Sequence, residues 1–376
     1  MRFILTQQTI HCLCPKLSVC LIVKNEEPVL RRCLECAVRF ADELVVVDTG
    51  SADRSVEIAH EFTDKVFIHP WRNSFAEARN FSYSQATGEW LMWLDADDFI
   101  DNENIRRFQR LKDGLTDADD VVFTIYGRHS ETGLSDYIMR DRIIRRALNP
   151  QWFGDVHEGI PIRPEWRCRH AVDIRIQHWK LHVNEPKRNI DIYDGAIERG
   201  ASFTVFEKAN LCKELALHGR DERAVEVFRE MKSDAALAAY VHYYAFVFVR
   251  ASLARLGRHG ECLAEIEELN GRLETAYMAY WQGACLEMLS RFDEAESCYR
   301  RAMEIPEDPT TLAIQFTGYT DYYPLLRLAA LAARRGDMEL SIALVERAGR
   351  AYPRDMSWRL LRLGLLARVK GLEGQK

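Results

Sequence analysis

The feature that most constrains this chain is the stretch Gly88-Glu89-Trp90-Leu91-Met92-Trp93-Leu94-Asp95-Ala96-Asp97-Asp98. Five consecutive apolar residues after Glu89 read as a strand buried on both faces, the habit of a mostly parallel sheet. Open α/β sheets bind ligands at the C-terminal ends of their strands, and this strand ends on three carboxylates. Asp95 and Asp97 are two apart, so an extended backbone sends both to one side. Crowded carboxylate oxygens suit Mg²⁺ or Mn²⁺ far better than zinc, and such a cation completes its shell with water and phosphate oxygens. A phosphorylated substrate is therefore implied. The plainer alternative is a solvated acidic turn that caps a helix over residues 101–111.

The preceding residues argue against the plain turn. Residues 17–23 read as a strand ending in Lys24-Asn25-Glu26-Glu27, and Pro28 suits the first turn of a helix over 28–40. A second buried strand, 43–47, ends in Asp48-Thr49-Gly50-Ser51, and Asp53 or Ser51 can cap a helix over 54–62. A short strand at 65–68 and a helix over 75–86 lead back to the opening stretch. This alternation predicts an α/β, Rossmann-like layer. No Gly-x-Gly-x-x-Gly follows the first strand, so a dinucleotide fingerprint is missing.

The 376 residues allow two or three domains with real cores. A net charge of -6 leaves no basic excess to track nucleic acid. No apolar run approaches the span of a membrane helix. The first five residues begin like a signal peptide, but Gln7 and Gln8 interrupt the pattern. The expectation is a cytoplasmic protein with no nucleic-acid partner and no transmembrane segment, in which residues 1–16 form an N-terminal extension. Among the ten cysteines, Cys33 and Cys36 fall inside an amphipathic helical pattern, and Cys12 and Cys14 lie in the extension. No second pair follows at zinc spacing.

Beyond the acidic stretch, residues 121–126 read as a strand and 138–146 as a strand or edge. Then comes Trp152-Phe153-Gly154-Asp155-Val156-His157-Glu158, followed by an alternating strand at 174–179 that delivers His178. Trp90 and Trp93 are expected in the core. Trp71 and Trp152 are placed on loops, where an aromatic face could stack on a sugar or an acceptor.

Four segments together look like glycosyltransferase family 2. They are Ser-Val-Cys-Leu-Ile-Val-Lys-Asn-Glu from Ser18, Val-Val-Val-Asp-Thr-Gly-Ser-Ala-Asp from Val45, Ala-Arg-Asn-Phe-Ser-Tyr-Ser-Gln-Ala-Thr-Gly-Glu-Trp from Ala78, and Asp-Ala-Asp-Asp from Asp95. The resemblance implies a GT-A fold over residues 17–184, a nucleotide-sugar-binding α/β domain with an Asp-x-Asp metal motif. It places Asp48 on the uracil or its ribose, with Val23, Lys24, Asn25 and Glu26 lining the base pocket. Arg79 would lie near the diphosphate. Asp95, with Ala96 beside it, would meet the ribose or a metal-bound water, and Asp97 would ligate Mn²⁺ or Mg²⁺. His178 fits the place from which many GT-A enzymes complete the coordination. The family inverts configuration in one displacement, which needs a single base. Glu158 is the first choice, Asp155 the second, with His157 in the same cluster; the family's more usual Glu-Asp pair is not found.

From about residue 185 the composition shifts to helix formers. Turns at 219, 257, 290 and 336 lie 38, 33 and 46 residues apart, around the period of about 34 typical of tetratricopeptide repeats. The best unit runs over 277–306, and an insertion is expected around 309–319. Residues 185–376 thus read as an all-α, tetratricopeptide-like domain. Residues 358–369 should form a capping helix with a basic face from Arg359, Arg362, Arg368 and Lys370. The combination resembles enzymes that glycosylate Ser, Thr or Cys of ribosomal peptides from a UDP-sugar, the repeats holding the peptide or pairing subunits into a homodimer. One alternative is a transferase with a glycan acceptor, building lipopolysaccharide core or another surface glycan. The other is a non-catalytic repeat scaffold with a degenerate sugar-nucleotide domain.

Overall fold

The computed structural model describes residues 16–179, 187–234 and 237–373, with side chains described up to residue 368. The expected extension before Lys16, with Cys12 and Cys14, and the side chain of Lys370 lie outside the described residues. The chain divides into two compact units. The first comprises residues up to Thr124 together with Asp141–Val183, and the second Ile125–Arg140 together with Asn184 onwards. The first unit is therefore discontinuous, where a continuous segment over 17–184 was expected.

In the first unit the elements alternate as the hydrophobic pattern predicts: β1 (Leu17–Val23), α1 (Glu27–Ala37), β2 (Glu43–Asp48), α2 (Ser55–His60), β3 (Val66–Ile68), α3 (Phe75–Gln85) and β4 (Trp90–Asp95). Then follow β5 (Asp98–Phe99), α4 (Asn102–Asp113), β6 (Val121–Arg128), β7 (Asp136–Arg145) and β8 (Cys168–His178). The strand order is β3-β2-β1-β4-β7-β6-β8-β5. The first four strands are parallel, with β1 between β2 and β4, and β7 joins β4 antiparallel. Val19, Leu21, Val45, Val46, Val47, Trp90, Met92 and Leu94 are fully inaccessible, as continuous apolar runs in a two-sided sheet must be. Trp90 and Trp93 are core residues, as expected. Gly88 is required where β4 begins, because a Cβ there would stand 2.4 Å from the Ser18 hydroxyl.

The second unit holds α5 (Arg188–Glu198), α6 (Val205–Leu217), α7 (Asp221–Lys232), α8 (Ala239–Arg255), α9 (His259–Asn270), α10 (Ala276–Met288) and α11 (Phe292–Ala302). A two-residue strand β9 (Gln315–Phe316) precedes α12 (Tyr323–Arg334), α13 (Met338–Ala351) and α14 (Ser357–Glu373). Successive helices from α6 to α13 pair through turns at Gly219, Gly257, Ser290 and Gly336, all left-handed, with φ of 70°, 71°, 62° and 85°. These are the turn positions whose spacing suggested repeats. The insertion before α12 carries β9, which pairs with β7 at Asp136 and Tyr137, residues that belong to this unit. Along α14, Leu360 and Leu363 are exposed as well as Arg359 and Arg368, and Arg362 pairs with Glu346.

Candidate active site

The end of β4 and the turn after it gather the acids. Asp95, Asp97, Asp98 and His178 bring one ligand atom each to within 4.8 Å of one another. The turn returns at once as β5, which pairs antiparallel with the end of β8 so that Asp98 faces His178 in register. A further backbone bond, Trp179 N–H to the Asp97 carbonyl at 2.9 Å, fixes this junction. His178 Nδ1 then lies 3.2 Å from Asp97 Oδ1 and 3.8 Å from Asp98 Oδ1. Alternation along β8 thus delivers the imidazole to the carboxylates.

The three carboxylates stand in different surroundings. Asp98 is fully buried; its Oδ2 meets Arg142 Nη1 at 3.2 Å and accepts the Asp95 N–H at 3.0 Å. Its Oδ1 is the oxygen that faces His178 Nδ1. Burial pushes the Asp98 carboxyl up, against the pull of Arg142. For Asp95 burial also acts upward, but Arg79 and then Arg142 outweigh it and bring the carboxyl down to about 2. Burial works against charge on His178, yet bonds to Asp97 and Asp98 raise it to about 10. A hard divalent cation fits the same donors, carboxylate oxygens of Asp95, Asp97 and Asp98 with one ring nitrogen of His178.

Arg79, on α3, is 5% exposed. Its Nη2 donates to Asp95 Oδ1 at 2.7 Å and its Nε to Glu158 Oε1. The guanidinium packs against the rings of both Trp93 and Trp152, 4.8 and 5.0 Å from their centroids. One buried cation therefore joins a carboxylate of the acidic cluster to the segment after β7. That segment closes on itself through two backbone bonds between Phe153 and Gly159. Asn80 pins it to α3, donating to the Trp152 carbonyl and accepting its N–H at 3.0 and 2.8 Å. Within it Asp155 is exposed, His157 is left-handed at φ 55°, and Glu158 is half-buried against Arg79.

The remaining expected residues lie on the loops after β1 and β2. Asp48 is buried, and its carboxylate accepts the N–H of Gly50 at 2.9 Å and of Ser51 at 3.0 Å. Asn25, left-handed at φ 56°, accepts the Ala52 N–H at 2.8 Å and donates its own N–H to Ser51 Oγ. Glu26 N–H donates to Ser55 Oγ, and the Val23 carbonyl accepts from Thr49. Lys24 is exposed, while Val23 and Ala96 are buried. The two loops are laced together. Trp152 corrects the expectation of a stacking face in a cleft: it is 2% exposed, with its ring against Arg79 and its edges against Tyr83 and Trp93. Trp71 is half-exposed and packs edgewise on Phe75.

Sequence reasoning missed Arg142, Asn80 and the part played by Asp98. The only trace of Arg142 was a charge next to the apolar pair Ile143-Ile144. Asn80 could have been noticed beside Arg79 in the Ala-Arg-Asn segment.

Comparison with known proteins bears on this geometry. Residues 18–165 match the family description "Glycosyl transferase family 2". A "TPR repeat-containing protein" of Synechococcus elongatus is 33% identical over 39% of this chain and 35% of its own length. The SPbeta prophage-derived glycosyltransferase SunS of Bacillus subtilis is 34% identical over 57% of this chain and 53% of its own. The chain thus spans about a third to a half of the length of these curated relatives. Among solved structures, S. aureus TarS 1-349 in complex with UDP-GlcNAc is 16% identical, covers 89% of this chain and 91% of that one, and gives a TM-score of 0.35, too low to carry any detail across.

Proposed function

We propose that the chain, whose residues 18–165 match the family description "Glycosyl transferase family 2", is a metal-dependent, inverting glycosyltransferase using a UDP-sugar. The observation that carries this reading is the convergence of Asp95, Asp97, Asp98 and His178 at the C-terminal end of β4. A divalent cation held by Asp97 and His178 would neutralise the charge that the leaving nucleoside diphosphate gains. The laced loops carrying Val23, Lys24, Asn25, Glu26 and Asp48 supply a rigid edge for the base and ribose. Asp95, with Ala96 beside it, would meet the ribose or a metal-bound water.

Arg79 acts in this proposal as a positioning residue. Its guanidinium is engaged by Asp95 and Glu158, so it sets the two carboxylates relative to each other. Glu158 is the base we assign: one oxygen is held by Arg79, and the other is left to receive the proton of the acceptor as the sugar bond forms. Asp155 and His157 flank it on the same closed segment. The acceptor we assign is a Ser, Thr or Cys side chain of a peptide, following the pairing of a transferase domain with a helical-repeat array.

The test is a thermal-shift titration with UDP, with and without Mn²⁺, on the wild type and Asp97→Ala. A ligand bound only by the folded state at about 100 times its Kd adds roughly 2.7 kcal/mol. The expected result is a Mn²⁺-dependent rise in midpoint that vanishes in Asp97→Ala. A rise with a different nucleotide would change the donor and keep the transferase, whereas no rise with any nucleotide would sink the proposal.

A further inference from the structure

Away from the acidic cluster, α14 is apolar on two opposite faces. The inner face, Trp358, Leu361 and Leu365, packs into a cluster with Ala329 of α12 and Val345 of α13. Gly349 of α13 makes room for it, since a Cβ there would stand 2.5 Å from the Trp358 ring. The helix is thus seated, and its other side is held outward. At about 3.6 residues per turn, Met356 (just before the helix), Leu360, Leu363, Gly364 and Ala367 fall in one stripe. All five are exposed, Leu360 and Leu363 by 65% and 62%. Arg359 borders the stripe on one side and Arg368 on the other, both exposed. A helix packed on one side usually turns polar residues to water on the other. A contiguous apolar patch rimmed by charge marks a contact surface, as single exposed leucines do not.

The charge around the stripe has one sign. Arg347, Arg350, Arg354, Arg359, Arg362 and Arg368 stand against a single acid, Asp355, over residues 347–368 of a chain whose net charge is -6. Asp355 is engaged by the Tyr322 hydroxyl and the Ser357 N–H. Among the described residues, only Arg362 of the six has a carboxylate partner, Glu346 at 2.7 Å. Earlier in the same unit the habit is the opposite: Arg229, Arg258, Arg291 and Arg301 each pair with a glutamate. A second copy of this face would therefore bring arginines against arginines with no spare carboxylate between them. Protein partners anchor in hollows, and the crest of a helix offers none. A lipid surface needs no hollow. Leucines enter the boundary between headgroups and acyl chains, while arginine stems carry their charge back to the phosphates.

We infer that α14 docks this chain reversibly on an anionic lipid surface. Met356, Leu360 and Leu363 enter the headgroup boundary, and Arg359 and Arg368 meet lipid phosphates on either side of them. No helix among the described residues is long and apolar enough to cross a membrane, so the contact is with the surface alone. The inference goes beyond sugar transfer and does not depend on it.

The experiment sediments the full chain, without nucleotide or metal, with vesicles of phosphatidylcholine alone or in equal mixture with phosphatidylglycerol. The expected result is saturable binding to the mixed vesicles that is at least about tenfold weaker on phosphatidylcholine. It should fall as salt rises from about 0.1 M to about 1 M and the screening length shrinks from ~10 Å to ~3 Å. Leu360→Ser with Leu363→Ser should weaken binding about tenfold, and Arg359→Gln with Arg368→Gln by a similar factor. Met288→Ser, which removes an equally exposed apolar side chain from α10, should leave it unchanged. All the substituted side chains are exposed, so every variant should keep the wild-type thermal midpoint. No binding to the mixed vesicles overturns the inference. So does binding that the leucine pair leaves intact, which would reduce the effect to charge and make an acidic polypeptide an equal partner. A dimer at sedimentation equilibrium that the leucine variant dissociates would also overturn it and give this face to a second copy.

Discussion

Glu43 shows how much of the sheet can hang on one side chain. At the start of β2 its carboxylate accepts from Ser18 of β1, from Lys65 just before β3, and from the N–H and hydroxyl of Thr87 just before β4. Burial alone would raise its carboxyl, but these donors hold it down to about 2, from an ordinary 4.5. Because the folded value is the lower one, the stabilisation is complete above the unfolded value and is lost as pH falls from about 4.5 toward 2. Glu43→Gln should therefore cost about 2 kcal/mol at pH 7, with the gap to the wild type narrowing toward pH 2. Denaturant titrations at both pH values would show it; a gap that stays constant would refute the account. Asp98 and Arg142 are a second such case, a fully buried pair whose carboxylate would be left uncompensated if the arginine were lost. Of the acidic cluster, Asp95 and His178 were legible because they end strands whose period is plain, and Asp97 because it stands two residues past Asp95. Arg142 was not, since a charge inside a strand says nothing of the partner it will meet.

At the scale of elements, the repeat turns separate what a glycine does from where it stands. Gly219, Gly257 and Gly336 take left-handed φ in open space, where a Cβ would meet nothing within 4 Å. Ser290 holds the same conformation at φ 62° in the third turn, and a left-handed L-residue costs roughly 1–2 kcal/mol. Ser290→Gly should therefore stabilise the second unit by about 1 kcal/mol. Gly283 is the opposite case, a helical glycine where α10 meets α11. A Cβ there would stand 2.8 Å from the Tyr299 ring and 3.0 Å from the Ala295 carbonyl. Gly283→Ala should destabilise by about 1–3 kcal/mol despite its better helix propensity. Equilibrium unfolding of both variants gives the signs; the same sign for both would contradict the reading. The turn spacing made these helix pairs legible in advance. The contact of Gly283 with Tyr299 was visible only as small and aromatic residues at repeat positions.

At the scale of the whole molecule, the sequence missed that the first unit is interrupted. Residues 125–140 read as an ordinary strand and connection, and nothing in their period says that the tip of the β6–β7 hairpin belongs with the helical repeats. The reason is long-range pairing. Thr317 donates its N–H to the Ser135 carbonyl, its Oγ1 accepts the Ser135 N–H at 2.7 Å, and that hydroxyl lies 3.0 Å from the Gly133 carbonyl. These partners stand 182 and 184 residues apart, beyond any local pattern. Thr317→Val keeps the shape of the side chain and removes the hydroxyl. It should leave the Ser135 N–H without its acceptor, at a cost of about 1–3 kcal/mol. Local opening should then speed amide exchange in the hairpin tip and β9 by tenfold or more. Amides of β1, β2 and β4 should keep their wild-type rates, because they lie in the other unit. Hydrogen exchange read by mass spectrometry resolves the two sets of peptides. Faster exchange in the parallel strands as well would mean that the hairpin tip is an integral part of the first unit's stability, and the division of the chain would have to be redrawn.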